Sequence, residues 1–273
     1  MSARVAAFFD LDGTLLPLPS LERQLFRMLR YRREIPMTNY FLWLREAPKL
    51  VPRGIGRVMH ANKVYLCGVQ SFDQRGVENR TDSYEHENRH SWRRRASQGE
   101  GQVSLPPNCN PRWPVSRFFE DGVERVTWHA MQGHAIVIVS GTLEPLAVAA
   151  ARTLEAELAA RGIAAGIRVF ATKLEENHGR WTGRILGEAM FGKAKARAIF
   201  ALDEEMSLDL SRSWAYGDSA QDRWMLAAVG NPVAANPTPK LARIARKQGW
   251  PVLRMINRLQ QIREPLRHAE RCA

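Results

Sequence analysis

Cysteine is scarce in this chain: Cys67, Cys109 and Cys272 are the only three in 273 residues. An odd count at this length excludes a disulfide-stapled mini-protein and fits a reducing cytoplasm. Long apolar runs are missing as well. The opening segment has five apolar residues in a row, Val5 to Phe9, before Asp10. That is shorter than the apolar region of a secretory signal. The Ala-rich stretch 147–165 is interrupted by Arg152, Glu155, Glu157 and Arg161, so no segment reaches the roughly 20 apolar residues of a membrane span. Acidic residues are outnumbered, 28 against 40 Lys plus Arg, for a net charge of +12. This excess favours anionic substrates or polyanions and is silent on fold. With 45% hydrophobic and 25% charged residues, wholesale disorder is excluded. The expectation is a cytoplasmic protein without a transmembrane segment, built as one large domain or a core with an insertion. The oligomeric state stays open.

What is present is an alternation. Val5–Phe9, Ala135–Val139, Ile167–Ala171, Ser213–Tyr216 and, more weakly, Pro232–Ala235 read as buried strands. Helical patterns lie between them at 144–161, 193–202, 220–229 and 239–248. Strands alternating with helices predict an α/β fold around a parallel sheet. Ligands of such sheets bind beyond the carboxyl ends of the strands, and Asp10, Ser140 and Asp218 each stand just past one. Residues 21–63 read as helical and basic, a small helical cap inserted after the first strand. Residues 70–113 are different: nine of 44 are hydrophobic, 13 are charged, and no period of 2 or 3.6 survives. Such a segment buries too little apolar surface to offset its ordering entropy. The predicted division is a core of 1–16 and 115–254, a cap of 17–69, an irregular segment of 70–114, and a basic amphipathic C-terminal helix of 255–273.

Three strand ends carry chemistry. Asp10-Leu11-Asp12-Gly13-Thr14 places two carboxylates two residues apart before a turn. The first can attack phosphorus, and the second can protonate a leaving oxygen and later deprotonate water. An ordinary acidic turn explains the same residues. Ser140-Gly141-Thr142 offers a hydroxyl and backbone donors for phosphoryl oxygens, or simply a Ser N-cap for a helix opening at Leu143. Gly217-Asp218-Ser219-Ala220-Gln221-Asp222 sets two acids four apart. Asp218 with Asp10 supplies hard oxygen ligands suited to Mg²⁺, although an acidic helix start is favoured by the helix dipole alone. Lys193 and Lys195 stand at the start of the helical pattern that follows Gly192.

Taken together, these residues resemble the haloacid dehalogenase superfamily of phosphohydrolases, whose four signatures occur here in order: Asp10-x-Asp12-Gly13-Thr14, Ser140, the lysine, and Gly217-Asp218 with Asp222. The chain looks most like the phosphoserine-phosphatase-like branch, with a hairpin around Thr172–Arg184 ahead of the lysine, over residues 4–66 and 115–254. The resemblance implies a Rossmann-like parallel sheet core with a helical cap. It implies a Mg²⁺-dependent phosphatase that hydrolyses a small phosphate monoester, phosphoserine-like, through an aspartyl-phosphate. Asp10 would be the nucleophile and Asp12 the acid and base. Ser140, Gly141 and Lys195 would bind the phosphate. Asp10, Asp12 (through its carbonyl) and Asp218 would hold the metal, with Asp222 supporting it and Lys195. Alignment with the branch chooses Lys195 over Lys193. Residues 70–113 depart from the relatives' cap helices, as either a native insertion or an out-of-frame stretch. This departure leaves substrate selection by the cap open, and with it whether the enzyme is active.

Other features have bland readings. His86-x3-His90 lacks a Cys-x2-Cys partner, Arg93-Arg94-Arg95 reads as a solvated charge run, and Leu253, Ile256, Leu259, Ile262 and Leu266 form a stripe that suits docking on a core or partner better than lying on a membrane surface, the alternative it leaves. A basic nucleic-acid-binding protein on the same scaffold, a catalytically impaired one, and a carbon–halogen hydrolase are the alternatives. The last needs neither Mg²⁺ nor a second acid, so Asp12 and Asp218 argue against it. No specific nucleic-acid partner is expected.

Overall fold

The computed structural model describes residues 4–50, 62–71 and 118–255. Strand β1 (Ala6–Phe9) leads through a turn into helices α1 (Leu21–Tyr31) and α2 (Met37–Leu50), then a short 3-10 turn at Val64–Leu66. Helix α3 (Glu120–Met131), β2 (Ala135–Leu143), α4 (Glu144–Ala160) and β3 (Ile167–Thr172) follow. The hairpin of β4 (Leu174–Asn177) and β5 (Arg180–Ile185) comes next, and then α5 (Lys193–Met206), β6 (Trp214–Gly217), α6 (Arg223–Leu226), β7 (Asn231–Ala235), α7 (Pro239–Gln248) and β8 (Val252–Leu253). The six-stranded sheet runs β3-β2-β1-β6-β7-β8 and every pairing is parallel. The α/β class and the helical insertion after the first strand are therefore as the sequence predicts.

Both faces of the sheet are covered. Alternate residues of β1 go to opposite sides: Ala7 and Phe9 join one apolar cluster with Leu25 of α1, Val126 of α3 and Leu154 of α4. Ala6 and Phe8 join the other with Ile199 of α5, Met225 of α6 and Leu241 of α7. Double-sided burial is why these strands read as unbroken apolar runs. In register, Phe9 lies beside Ile138 and Tyr216. The residues after it in each strand therefore converge at the crevice where the chain's direction across the sheet reverses.

Several boundaries differ from expectation. Strand β2 extends to Leu143, so the helix opens at Glu144 and Ser140 is not its N-cap; the Ser140 hydroxyl instead accepts from Thr142 N–H at 3.3 Å. The helix expected over 220–229 shrinks to Arg223–Leu226. Its start is held back because Ser219–Asp222 forms a closed turn. It ends at Leu226 with Ala227 as its C-cap, and at Gly230 the chain passes so close to Ser211 that a Cβ would lie 1.7 Å from that carbonyl oxygen. Most of the segment 70–114, the C-terminal stretch 255–273 apart from Met255, and His86 and His90 lie outside the described residues, as do residues 51–61 of the helical insertion. No described helix is long and apolar enough to cross a membrane.

Candidate active site

The loop after β1 is built to aim two acids. Asp10 N–H still pairs with the Tyr216 carbonyl at 2.9 Å, continuing the sheet by one residue. The chain then turns through Gly13, whose φ is +89° and whose N–H bonds the Leu16 carbonyl at 2.7 Å. A Cβ at Gly13 would lie 2.5 Å from Asp218 Oδ2. Glycine is thus required both by the backbone angle and by the close approach of the third acid. Asp12 accepts the Leu21 N–H at 2.8 Å on Oδ1, which ties the acid to the first residue of α1.

Lys195, on the first turn of α5, is buried and spans two carboxylates: its Nζ is 2.6 Å from Asp10 Oδ1 and 2.6 Å from Asp222 Oδ1. The other Asp222 oxygen accepts from Ser219 N–H (2.8 Å) and Ser219 Oγ (2.7 Å). Both Asp222 oxygens are therefore engaged. Gly217 makes room for it, since a Cβ there would fall 2.5 Å from that of Asp222. Lys193, by contrast, is exposed, with its Nζ 5.0 Å from the centre of the Trp224 ring.

One oxygen each of Asp10, Asp218 and Asp222 lies within 4.8 Å of the others. Three carboxylates with one ammonium are short of positive charge. Burial raises Asp10 to about 7 despite the Lys195 charge beside it, and Asp222 and Asp12 add to the rise. Burial and repulsion from Asp10 and Asp222 raise Asp218 to about 8. Asp12 is lifted to about 6 by burial, opposed by the Leu21 N–H, with Glu22 adding to the rise. Burial opposes the Lys195 charge, but Asp10 and Asp222 outweigh it and hold the ammonium above its usual range. An all-oxygen, electron-rich cluster of this kind fits a hard divalent cation.

Ser140 and Gly141 lie beyond Val139, beside the end of β1. Thr172 Oγ1 donates to the Gly141 carbonyl at 2.9 Å and accepts Met190 N–H at 3.2 Å, fixing that turn. Asp10, Lys195, Asp218 and Asp222 thus meet in one cluster, with Asp12 in the turn that follows β1 and Ser140 within the neighbouring strand β2. Three features escaped the sequence. Ser219 resembles any helix-start serine. Thr14 and Thr142 carry buried hydroxyls that lack a partner among the described residues. Lys63 is fully buried against Glu22, whose Oε1 also accepts from Tyr65 OH at 2.7 Å. A lone lysine in a basic segment gives no hint of burial.

Comparison with known proteins gives a consistent picture. The family described as haloacid dehalogenase-like hydrolase matches residues 74–227, more than half of the chain. Phosphoserine phosphatase SerB1 of Mycobacterium tuberculosis is 34% identical over 133 residues, 48% of this chain and 40% of that protein. The matched stretch is thus well under half of that relative's length. The Inhibition of morphological differentiation protein of Streptomyces azureus is 28% identical over 92% of this chain and 78% of its own. Among solved structures, a protein of unknown function from Bordetella pertussis Tohama I superimposes with a TM-score of 0.56 at 24% identity, covering 93% of this chain and all of that one. A phosphoserine phosphatase in apo form gives 0.54 at 16%, covering 95% and 97%. These two superpositions show that the fold is shared.

Proposed function

Because the chain belongs to the haloacid dehalogenase-like hydrolase family, we propose that it is a Mg²⁺-dependent phosphatase acting on a small phosphate monoester through an aspartyl-phosphate on Asp10. The observation that carries this reading is the buried cluster in which Lys195 bridges Asp10 and Asp222 while Asp218 closes on the same point. The Asp10 side chain, the Asp12 carbonyl and Asp218 would hold Mg²⁺, which neutralises phosphoryl charge when bound.

In the reading we favour, an Asp10 carboxylate oxygen attacks phosphorus, and the bond from phosphorus to the alcohol oxygen breaks. The Asp12 Oδ1 is occupied by Leu21 N–H, so the proton sits on Oδ2 and passes from there to the departing alcohol. A raised Asp12 carboxyl suits this task. Asp12 then takes a proton from water, which attacks phosphorus and frees Asp10 and inorganic phosphate. The Ser140 oxygen accepts Thr142 N–H, which leaves its own hydrogen to donate to a phosphoryl oxygen beside Gly141 N–H. Lys195 neutralises the phosphoryl group, and Asp222 acts through Lys195 and Ser219. Positioning and charge do most of the work in such transfers. A phosphoserine-like substrate is supported by the similarity to the Mycobacterium tuberculosis protein.

The test is a screen of phosphorylated metabolites with and without Mg²⁺. Release of phosphate that needs Mg²⁺ and drops by at least about 10³-fold in Asp10→Asn is expected. Metal-independent turnover, or turnover retained by Asp10→Asn, would overturn the assignment.

A further inference from the structure

The second acid of the site is held by the helical insert rather than by the sheet. Asp12 stands in the turn after β1, and its Oδ1 accepts the N–H of Leu21, the first residue of α1, at 2.8 Å. That N–H is one of the donors a helix start leaves without an intrahelical partner, so Asp12 keeps its aim only while the first turn of α1 keeps its place. Glu22 is the next residue, and it is near enough to Asp12 for its charge to add to the rise of that carboxyl. The Glu22 Oε1 accepts from Lys63 Nζ and, at 2.7 Å, from Tyr65 OH. The Lys63 side chain is wholly buried and that of Glu22 largely so.

Lys63 and Tyr65 are themselves fixed elsewhere in the fold. The Lys63 carbonyl and Val64 Cα lie against Gly183 of the β4–β5 hairpin, where a Cβ would come within 3.1 Å and 2.9 Å of them. The Tyr65 carbonyl accepts from Asn39 Nδ2 of α2 at 3.1 Å. The Tyr65 ring meets that of Phe26 of α1 edge-on, with centres 5.4 Å apart. A line of contacts thus runs from the hairpin through Lys63 and Glu22 to the Leu21 N–H and Asp12. Burial of Leu21, Leu25 and Leu29 already holds α1 on the core. A buried ion pair adds little stability beyond what apolar side chains of the same shape supply, because both charges lose their water. What it adds is direction: charge-assisted hydrogen bonds are short and directional, and apolar contacts are not.

We propose that Lys63, Glu22 and Tyr65 are positioning residues for Asp12, a clasp that fixes the first turn of α1 so that the Leu21 N–H occupies Oδ1 and Oδ2 is left to the departing alcohol. The inference rests on the reading of Asp12 as the acid. Without the clasp Asp12 is free to turn, and the loss falls on leaving groups that need a proton.

The full-length chain is assayed with Mg²⁺ on phenyl phosphate and 4-nitrophenyl phosphate. The two esters share the ring and the phosphate, but departure of phenol leans far more on an acid than departure of nitrophenol. The comparison uses kcat/KM, which reports the steps up to that departure. In Asp12→Asn, phenyl phosphate should lose at least about tenfold more than the nitrophenyl ester. Lys63→Met should lower phenyl phosphate turnover about tenfold and the nitrophenyl ester no more than about threefold, and Tyr65→Phe should show the same bias more weakly. Added to Asp12→Asn, Lys63→Met should cost less than about threefold further, because no acid remains to be aimed. If Lys63→Met unfolds the insert, Lys63→Met with Glu22→Gln removes both charges together, and Tyr65→Phe keeps the ion pair. Equal losses on the two esters in the clasp variants, or losses that multiply in full with Asp12→Asn, would make the clasp a structural support only and overturn the proposal, with Asp12 still the acid. A raised KM for both esters at unchanged kcat would also overturn it and assign the pair to substrate binding. Equal losses on the two esters in Asp12→Asn would overturn the reading of Asp12 itself, and the proposal with it.

Discussion

Lys193 and Lys195 stand two residues apart on the first turn of α5 and have opposite surroundings. The first is exposed over Trp224, and the second is buried between Asp10 and Asp222. Removing a buried charge leaves its partners uncompensated, which typically costs about 3–5 kcal/mol. Lys195→Ala should therefore lower stability by that order and lose activity. Lys193→Ala should change stability by about 1 kcal/mol or less, the scale of an exposed cation–π contact. Parallel urea titrations and phosphatase assays of the two variants check this, and comparable losses in both would contradict it. Asp12 offers a sharper readout. If it protonates the leaving oxygen, Asp12→Asn should slow alkyl phosphates far more than nitrophenyl phosphate, whose leaving group needs little help. Equal slowing across leaving groups would count against Asp12 as the acid. Asp218→Asn should raise the Mg²⁺ concentration needed for half-maximal rate, because one hard anionic ligand is lost. An unchanged requirement would remove Asp218 from the ligand set.

At the level of elements, the β4–β5 hairpin is a platform for the helical insert. Gly68 N–H donates to the Trp181 carbonyl (2.8 Å) and Trp181 N–H to the Val69 carbonyl (2.9 Å), so residues 68–70 line the hairpin like a third strand. Gly183 permits the contact: its φ is +79° and a Cβ would lie 2.9 Å from Val64 Cα. Gly187 has a similar φ of +71° but open space around it. Gly183→Ala should lose about 1–3 kcal/mol in urea unfolding, and Gly187→Ala only the backbone part, about 1 kcal/mol. Equal losses would show that the close approach carries no energy. This platform was not legible in the sequence as a partner of residues 62–71, because that pairing joins residues over 100 positions apart. The apolar runs that lead to Asp10, Ser140 and Asp218 were legible, since burial on both faces writes an unbroken run, although β2 continues past Ser140 to Leu143. Helix α7 was read to the residue, because Pro239 and Gly249 mark its ends. The two-residue β8 has no pattern to read. Within the site, the acids and Lys195 announced themselves by spacing and resemblance, whereas the roles of Ser219 and buried Lys63, and the unpartnered hydroxyl of Thr14, become visible only once the chain is folded.

Over the whole molecule, the helix layer is tied to the sheet by a polar contact as well as by apolar packing. His129 of α3 is wholly buried; its Nε2 lies 2.9 Å from Tyr216 OH and its Nδ1 2.8 Å from His134 Nδ1. Tyr216 in turn stacks on Phe9, with ring centres 4.6 Å apart, one residue before Asp10. Burial, with the neighbouring His134 and Arg125, lowers His129 to about 3 from an ordinary value of 6.5. The unfolded chain takes up a proton there below about 6.5, and the folded chain does not until about 3. Stability from the neutral, buried ring is thus fully present above 6.5 and is lost as pH falls, at about 1.4 kcal/mol per pH unit. The raised carboxyls of the site act in the opposite sense, so the total slope of the unaltered chain mixes both effects. A comparison with His129→Gln cancels the carboxyls, because they are common to both proteins. The stability advantage of the unaltered chain over His129→Gln should shrink by about 2 kcal/mol between pH 6.5 and pH 5. Urea unfolding at the two pH values measures it. A constant difference would mean that His129 takes up its proton at the same pH in the folded and the unfolded chain, and that its burial carries no penalty on the charged ring.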